Sequence, residues 1–79
     1  MTLDEVTCGM AVRVGMIEEK EVRVQALRLG LMEGELVMCT ANVWAGAIVL
    51  EHGGQEFAIG RKLAERIRVW PVWHSRGER

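Results

Sequence analysis

The sequence predicts a mainly β domain: a small closed or half-closed barrel of five short strands, with one α-helix between strands 1 and 2 and a short helical turn before the last strand. Residues 26–37 change from helical to strand spacing across two glycines, Gly30 and Gly34. The other β-rich segments are separated either by glycines or by residues with the spacing of a helix. A chain of 79 residues has little material to cover exposed sheet edges, and closure into a barrel removes them.

A single helical turn opens the chain and is followed by the first strand. Thr2 and Glu5 have the spacing of a capping box, in which each residue satisfies a backbone N–H of the other. Residues 10–17 are rich in β-branched side chains, with Val12 and Val14 on one face. We expect that face to point into the barrel.

The next segment predicts an amphipathic helix. Acidic residues at its start complement the positive end of the helix dipole. Val22, Ala26 and Leu29 fall on one face, which we expect to be buried. Gly30 then ends the helix in the left-handed conformation, and Leu31 folds back onto Ala26.

Three strands are predicted after the turn that Gly34 closes. They cover residues 35–41, 47–52 and 55–59. Both faces of the first of these strands are apolar, so alternation alone does not determine which face points inward. Gly53-Gly54 indicates a two-residue hairpin between the other two.

The last part of the barrel and the C-terminal tail follow. Residues 60–66 allow one or two helical turns, and residues 67–69 return to strand spacing. Pro71 cannot donate to a strand ladder, and the pattern ends there. We therefore expect a single domain over residues 1–70 and a partly disordered tail over residues 71–79.

Composition excludes several classes of protein. Ten Lys and Arg against eleven Asp and Glu give a net charge of −1, which argues against a general nucleic-acid binder. No run of eighteen apolar residues and no secretion signal is present, so we expect a cytoplasmic protein without direct membrane insertion.

The sequence predicts neither an enzyme nor a dedicated metal or cofactor site. Ser75 lies in the tail, and His52 and His74 have no acid at a diagnostic spacing. Cys8 and Cys39 lack the C-x-x-C spacing of a zinc site and are interpreted as small apolar fillers. Adventitious metal binding by these cysteines and histidines stays open.

Tryptophan supplies most of the aromatic surface, with three Trp, one Phe and no Tyr. Trp44 lies in the loop over residues 41–46, and we favour a partner contact for it because Trp is enriched at binding hot spots. Trp70 either covers one end of the barrel or contacts a partner. The basic residues between 61 and 68 are interpreted as a solvated face, with an acidic partner as the alternative.

Two segments carry a resemblance to a known family. "LRLGLMEG" over residues 27–34 and "QEFAIGRKLAERIRV" over residues 55–69 resemble the ferrous iron transport protein A (FeoA) domain. That family has a Leu-rich helix, Leu-Gly-Leu, a turn closed by Gly, and a final Ala-x-x-Ile-x-Val. The match runs from Leu3 to Val69 and implies an SH3-like barrel. Glu33 departs from the pattern, because the family often has Pro at this position.

The resemblance also implies a function. The family consists of small cytosolic accessory proteins of bacterial ferrous iron uptake, thought to act on a membrane permease with a cytosolic GTPase domain. We expect a non-enzymatic interaction module that docks on this permease and modulates Fe²⁺ transport, in the cytoplasm or at the inner membrane through its partner. A regulatory barrel akin to that of iron-dependent transcriptional repressors, a direct metal carrier, and weak homo-oligomerisation stay open.

Four residues are our candidates for partner binding: Arg23, Arg28, Met32 and Trp44. They are chosen from predicted exposure and residue type on helix 1 and the loop after strand 2, and the resemblance does not assign them. We expect Glu33 to be an exposed carboxylate at the second position of the turn, where proline would fit.

Overall fold

The computed structural model describes residues 1–43 and 46–74, with side chains as far as Val72. Its elements are a 3₁₀ turn (Leu3–Glu5), the strands β1 (Met10–Val14), β2 (Leu36–Asn42), β3 (Ile48–His52), β4 (Gln55–Ile59) and β5 (Val69–His74), and the helices α1 (Lys20–Arg28) and α2 (Arg61–Ala64). The predicted order of five strands, one helix between the first two and a short helical turn before the last is confirmed.

The five strands form one antiparallel sheet in the order β4-β3-β2-β1-β5. Strands β4 and β5 stand at the two ends of this order, and α2 connects them along the chain. The N-terminal segment lies beside this connection, where Leu3 N–H donates to Ile67 O at 2.8 Å. Glu5 accepts the N–H of Thr2 at 2.9 Å, as the capping-box spacing predicts.

The interior is apolar and draws on every strand. Val12 and Val14 are buried while Arg13 between them is exposed, as predicted. On β2, whose alternation left the choice open, Val37 and Cys39 face inward. The largest fully buried side chains are Leu3, Leu31, Ile48, Leu50, Ile59 and Ile67.

The C-terminus of α1 is closed by a left-handed glycine, and one core prediction is wrong here. Gly30 has a φ of +95° and donates its N–H to Leu27 O at 3.0 Å, while Leu31 donates to Ala26 O at 2.9 Å. These are the two hydrogen bonds of a Schellman motif. The change in chain direction at Gly30 places Leu31 in the core, where it is 1% exposed, and leaves Leu29 39% exposed. The apolar face therefore continues through Leu31 and not through Leu29.

Two tight turns have the geometry that their glycines predict. In the first, Glu35 N–H donates to Met32 O at 3.2 Å, and Gly34 has a φ of +85°. A positive φ at the third residue is typical of a type II turn. In the β3–β4 hairpin, Gly53 and Gly54 both have positive φ, as a type I′ turn requires.

Strand β5 is longer than the predicted strand over residues 67–69, because it continues through Pro71 to His74. Val69 donates its N–H away from β1, to Met1 O at 2.9 Å. Backbone orientation alternates along a strand, so Pro71 presents its nitrogen on the same outer side. The ring therefore removes no hydrogen bond from the β1–β5 ladder.

Candidate functional site

Two of the predicted contact residues, Arg23 and Met32, line one shallow concavity of 190 Å³ beside α1, which we call the α1 groove. Leu27, Leu31 and Glu33 complete its lining. Leu31 is buried and forms the floor, whereas Leu27 and Met32 are about half exposed at the sides. The groove therefore combines apolar side chains with one cationic and one anionic side chain.

Both charged residues of the α1 groove bind the backbone of Ile17. Arg23 Nη1 donates to Ile17 O at 2.6 Å, and Glu33 Oε2 accepts the N–H of Ile17 at 2.6 Å. These bonds hold the β1–α1 connection against the turn that follows α1. Glu33 is exposed, as expected, but its carboxylate is not free. Its bond to Ile17 spans sixteen positions, and no local pattern in the sequence predicts it.

The other two predicted contact residues do not line this groove. Arg28 is exposed in the last turn of α1. Trp44 lies outside the described residues. The backbone just before it is held by Arg61, whose Nη2 donates to Val43 O at 2.7 Å and also contacts Asn42 Oδ1.

Arg61 is therefore not part of a solvated basic face. Its Nη1 also donates to Asp4 O at 3.2 Å, while Asn42 Nδ2 donates to Val6 O at 2.6 Å. These bonds connect α2, the end of β2 and the N-terminal segment. We call this group of bonds made by the Arg61 and Asn42 side chains the Arg61 clasp.

A second concavity of 360 Å³ adjoins the α1 groove, because Glu33 lines both. Met16 and Trp70 also line this second concavity. A Cβ at Gly15 would come within 3.5 Å of Trp70 Nε1 and 3.0 Å of Arg68 O, so glycine permits the close approach of β5 here. Trp70 is exposed and covers Gly15 with one part of its indole, which leaves the rest available for contact.

The two cysteines differ in environment. Cys39 is a buried filler, as predicted, and burial raises the pKa of its thiol. Cys8 is exposed, and its Sγ donates to Thr40 O at 3.1 Å. The interpretation of Cys8 as a filler is therefore wrong, because the turn before β1 points it outward.

Metal ligands are sparse in the part of the chain that the structure describes. Over residues 1–43 and 46–72, whose side chains the structure describes, no group of three or more His, Cys, Asp or Glu side chains converges on one point. A pair does converge: His52 Nε2 lies 3.2 Å from Glu35 Oε2, and His52 Nδ1 lies 3.0 Å from Leu36 O.

Within the described ranges, neither helix has the length or the apolar character needed to cross a bilayer.

Comparison with known proteins supports the resemblance in the sequence. A family model described as the FeoA domain matches residues 1–71. The crystal structure of an iron uptake regulatory protein (FeoA) superposes with a TM-score of 0.83 at 29% identity, over 91% of this chain and 97% of that one. The structure therefore has the small SH3-like fold that the resemblance implied.

A second structural likeness concerns the fold alone. The crystal structure of ScaR with bound Zn²⁺ superposes with a TM-score of 0.78 at 20% identity, over 91% of this chain and 37% of that one. No curated protein matches the sequence.

Proposed function

Since this chain belongs to the FeoA domain family, we propose that it is a non-enzymatic accessory protein of bacterial ferrous iron uptake. In this proposal it docks on the cytosolic part of a GTPase-permease and modulates Fe²⁺ transport. It works in the cytoplasm and reaches the inner membrane only through this partner. The family itself is one of small iron-related regulatory modules, and docking is the step that we add.

The α1 groove is the observation that carries the proposal. Interfaces between proteins place apolar side chains at the centre and polar ones at the rim. Leu27 and Met32 supply such a centre, and Arg23 and Glu33 supply the rim. Because both charged side chains are already bonded to Ile17, little side-chain entropy remains to be lost when a partner binds.

The partner surface that fits this groove presents an apolar side chain with polar groups beside it. Arg28 extends the surface along α1 with a second positive charge. Trp44 is proposed as a further contact on the grounds of residue type, since Trp is common among hot spots.

Calorimetric titration of the purified cytosolic GTPase domain into the full chain tests the proposal. Met32→Ala should weaken binding about fivefold or more, as expected for a contact at the centre of an interface. Met16→Ala is the matched control, because Met16 is also an exposed methionine, at 77%, and lies outside the α1 groove. Equal affinities for wild type and Met32→Ala would contradict docking through this groove.

Charge reversal separates the roles of the two arginines. Arg28→Glu should reduce the association rate and its dependence on salt without altering the melting temperature, because Arg28 is exposed. Arg23→Glu should reduce both binding and stability, since it also removes the bond to Ile17 O. Failure of the wild-type chain to bind the GTPase domain at any accessible concentration would overturn the proposal.

A further inference from the structure

We propose that Glu35 and His52 form a binding site for a first-row divalent transition-metal ion, where the turn over residues 32–35 meets the end of β3. This site is distinct from the α1 groove and does not depend on the docking function. The argument rests on the atoms that surround each of the two side chains.

Leu36 fixes the tautomer of His52. The Nδ1 atom lies 3.0 Å from Leu36 O, and because a carbonyl oxygen only accepts, Nδ1 must carry the hydrogen. In the neutral imidazole the lone pair is then on Nε2. Histidines that bind metals in proteins usually donate their other ring N–H to a backbone carbonyl or carboxylate in this way.

Glu35 faces that lone pair with a restrained carboxylate. Its Oε2 lies 3.2 Å from His52 Nε2, while its Oε1 accepts the N–H of Met32 at 3.2 Å. The side chain of Glu35 is only 22% exposed. His52 Nε2 and Glu35 Oε2 thus face each other, and a cation placed between them would contact both atoms.

The separation of these two atoms suits a metal ion. Nitrogen and oxygen ligands lie about 2.0–2.2 Å from Zn²⁺ and similar ions, so two neighbouring ligands of one ion are about 2.8–3.5 Å apart for angles between 90° and 109°. The 3.2 Å between Nε2 and Oε2 falls in this range. An ion can therefore be bound with little movement of either side chain.

The surroundings determine the class of ion and the strength of binding. Imidazole with carboxylate suits Fe²⁺ through Zn²⁺, whereas Ca²⁺ requires six or more oxygen ligands. Gln55 lies opposite His52 in the β3–β4 ladder, so its side chain leaves the sheet on the same side as that of His52 and is a polar neighbour of the site. With two protein ligands and His52 39% exposed, water completes the coordination, and the ion exchanges readily.

The sequence did not reveal this pair because its members are seventeen positions apart. The two residues meet only when the turn that follows α1 and the end of β3 come together beside the start of β2. The expectation of no metal site was based on linear spacing, which detects closed sites such as those of C-x-x-C motifs.

Imidazole NMR tests the proposal sharply, because the chain contains only two histidines. Untagged full-length protein, labelled with ¹⁵N, is titrated with Co²⁺ alone. Before the metal is added, His52 should show the Nδ1–H tautomer at a pH where it is neutral. During the titration the His52 ring signals should shift and broaden, saturating at one ion per chain, before those of His74 respond.

Two Glu→Gln variants test whether Glu35 is the second ligand. Glu35→Gln keeps the size of the side chain and an oxygen for Met32 N–H but removes the charge, and it should weaken Co²⁺ binding at His52 about tenfold or more. Glu51→Gln removes a carboxylate next to His52 in sequence that accepts the N–H of Gly54, and it should leave binding unchanged. Thermal melts of both variants check that each is folded.

Three outcomes would overturn the proposal. One is a response of His52 and His74 at equal Co²⁺ concentrations, and another is an unchanged His52 response in folded Glu35→Gln. The third is displacement of Co²⁺ by an equal concentration of Ca²⁺, since an oxygen-binding ion would not depend on the imidazole nitrogen.

Discussion

Gly30 closes α1 at a φ of +95°, a conformation in which side chains with a Cβ are strained. A Cβ at this position would meet nothing within 4 Å, so any cost of substitution comes from the backbone and not from a clash. Gly30→Val should therefore lower the free energy of unfolding by about 1–2 kcal/mol. Urea denaturation measures this change.

Asn is the control for Gly30, because it tolerates the left-handed region better than other residues with a Cβ. Gly30→Asn should retain most of the wild-type stability. If the Val and Asn variants unfold at the same urea concentration as wild type, the strain argument is wrong.

Glu33 combines a turn position that favours proline with a side chain that proline would remove. Glu33→Ala should lower stability by about 1–2 kcal/mol, since it leaves the N–H of Ile17 without its acceptor. Glu33→Pro should be about 0.4–1 kcal/mol more stable than the Ala variant, because it restricts the unfolded chain at a compatible φ. Thermal melts of the three proteins should therefore rank wild type first, then Pro, then Ala.

The sequence alone would place Glu33→Pro above wild type. A Pro variant that melts higher than wild type would show that the bond from Ile17 contributes nothing. A Pro variant that melts lower than Ala would contradict the type II geometry of the turn.

At the scale of the element, Leu→Ala substitutions at positions 29 and 31 test which of the two leucines at the end of α1 packs in the core. Leu31→Ala should cost about 2–5 kcal/mol, because Leu31 is buried in the core. Leu29→Ala should cost less than about 1 kcal/mol, since Leu29 is more than one-third exposed. Urea midpoints in the reverse order would contradict the assignment of Leu31 to the core.

Elements that depend on local conformation were predictable from the sequence. Gly30, Gly34 and the Gly53-Gly54 pair each mark a positive φ, and the structure has positive φ at all four positions. The face of β2 that points inward was not predictable, because both faces are apolar and only packing against α1 and the other strands decides. The length of β5 was missed because Pro71 is a strand breaker everywhere except on an outer edge.

The candidate site was predictable only in part, because the contacts that form it depend on how distant segments pack. Arg23 and Met32 were identified from exposure and residue type, and the structure places both on the α1 groove. The bonds that organise the groove and its neighbours are non-local: Glu33 to Ile17, Arg61 to Val43, and Glu35 beside His52. No periodicity or motif reports pairs of this kind.

At the scale of the whole molecule, the Arg61 clasp connects segments that are far apart in the chain. Arg61→Ala should lower stability by about 1–3 kcal/mol, because it leaves the carbonyls of Asp4 and Val43 with one donor fewer. Lys62→Ala is the matched control, since Lys62 is exposed and adjacent. Equal melting temperatures for the two variants would show that the clasp is not needed for the fold.

Pro71 also bears on how molecules of this protein avoid one another. An outer strand with free N–H groups is a template on which a second chain can add a strand, and such addition leads to aggregation. Pro71 offers no donor on the exposed outer side of β5, so it protects the edge that the five-stranded sheet leaves there. Pro71→Val should restore a donor and increase self-association in sedimentation velocity, whereas Pro71→Lys should restore the donor but keep molecules apart by its charge.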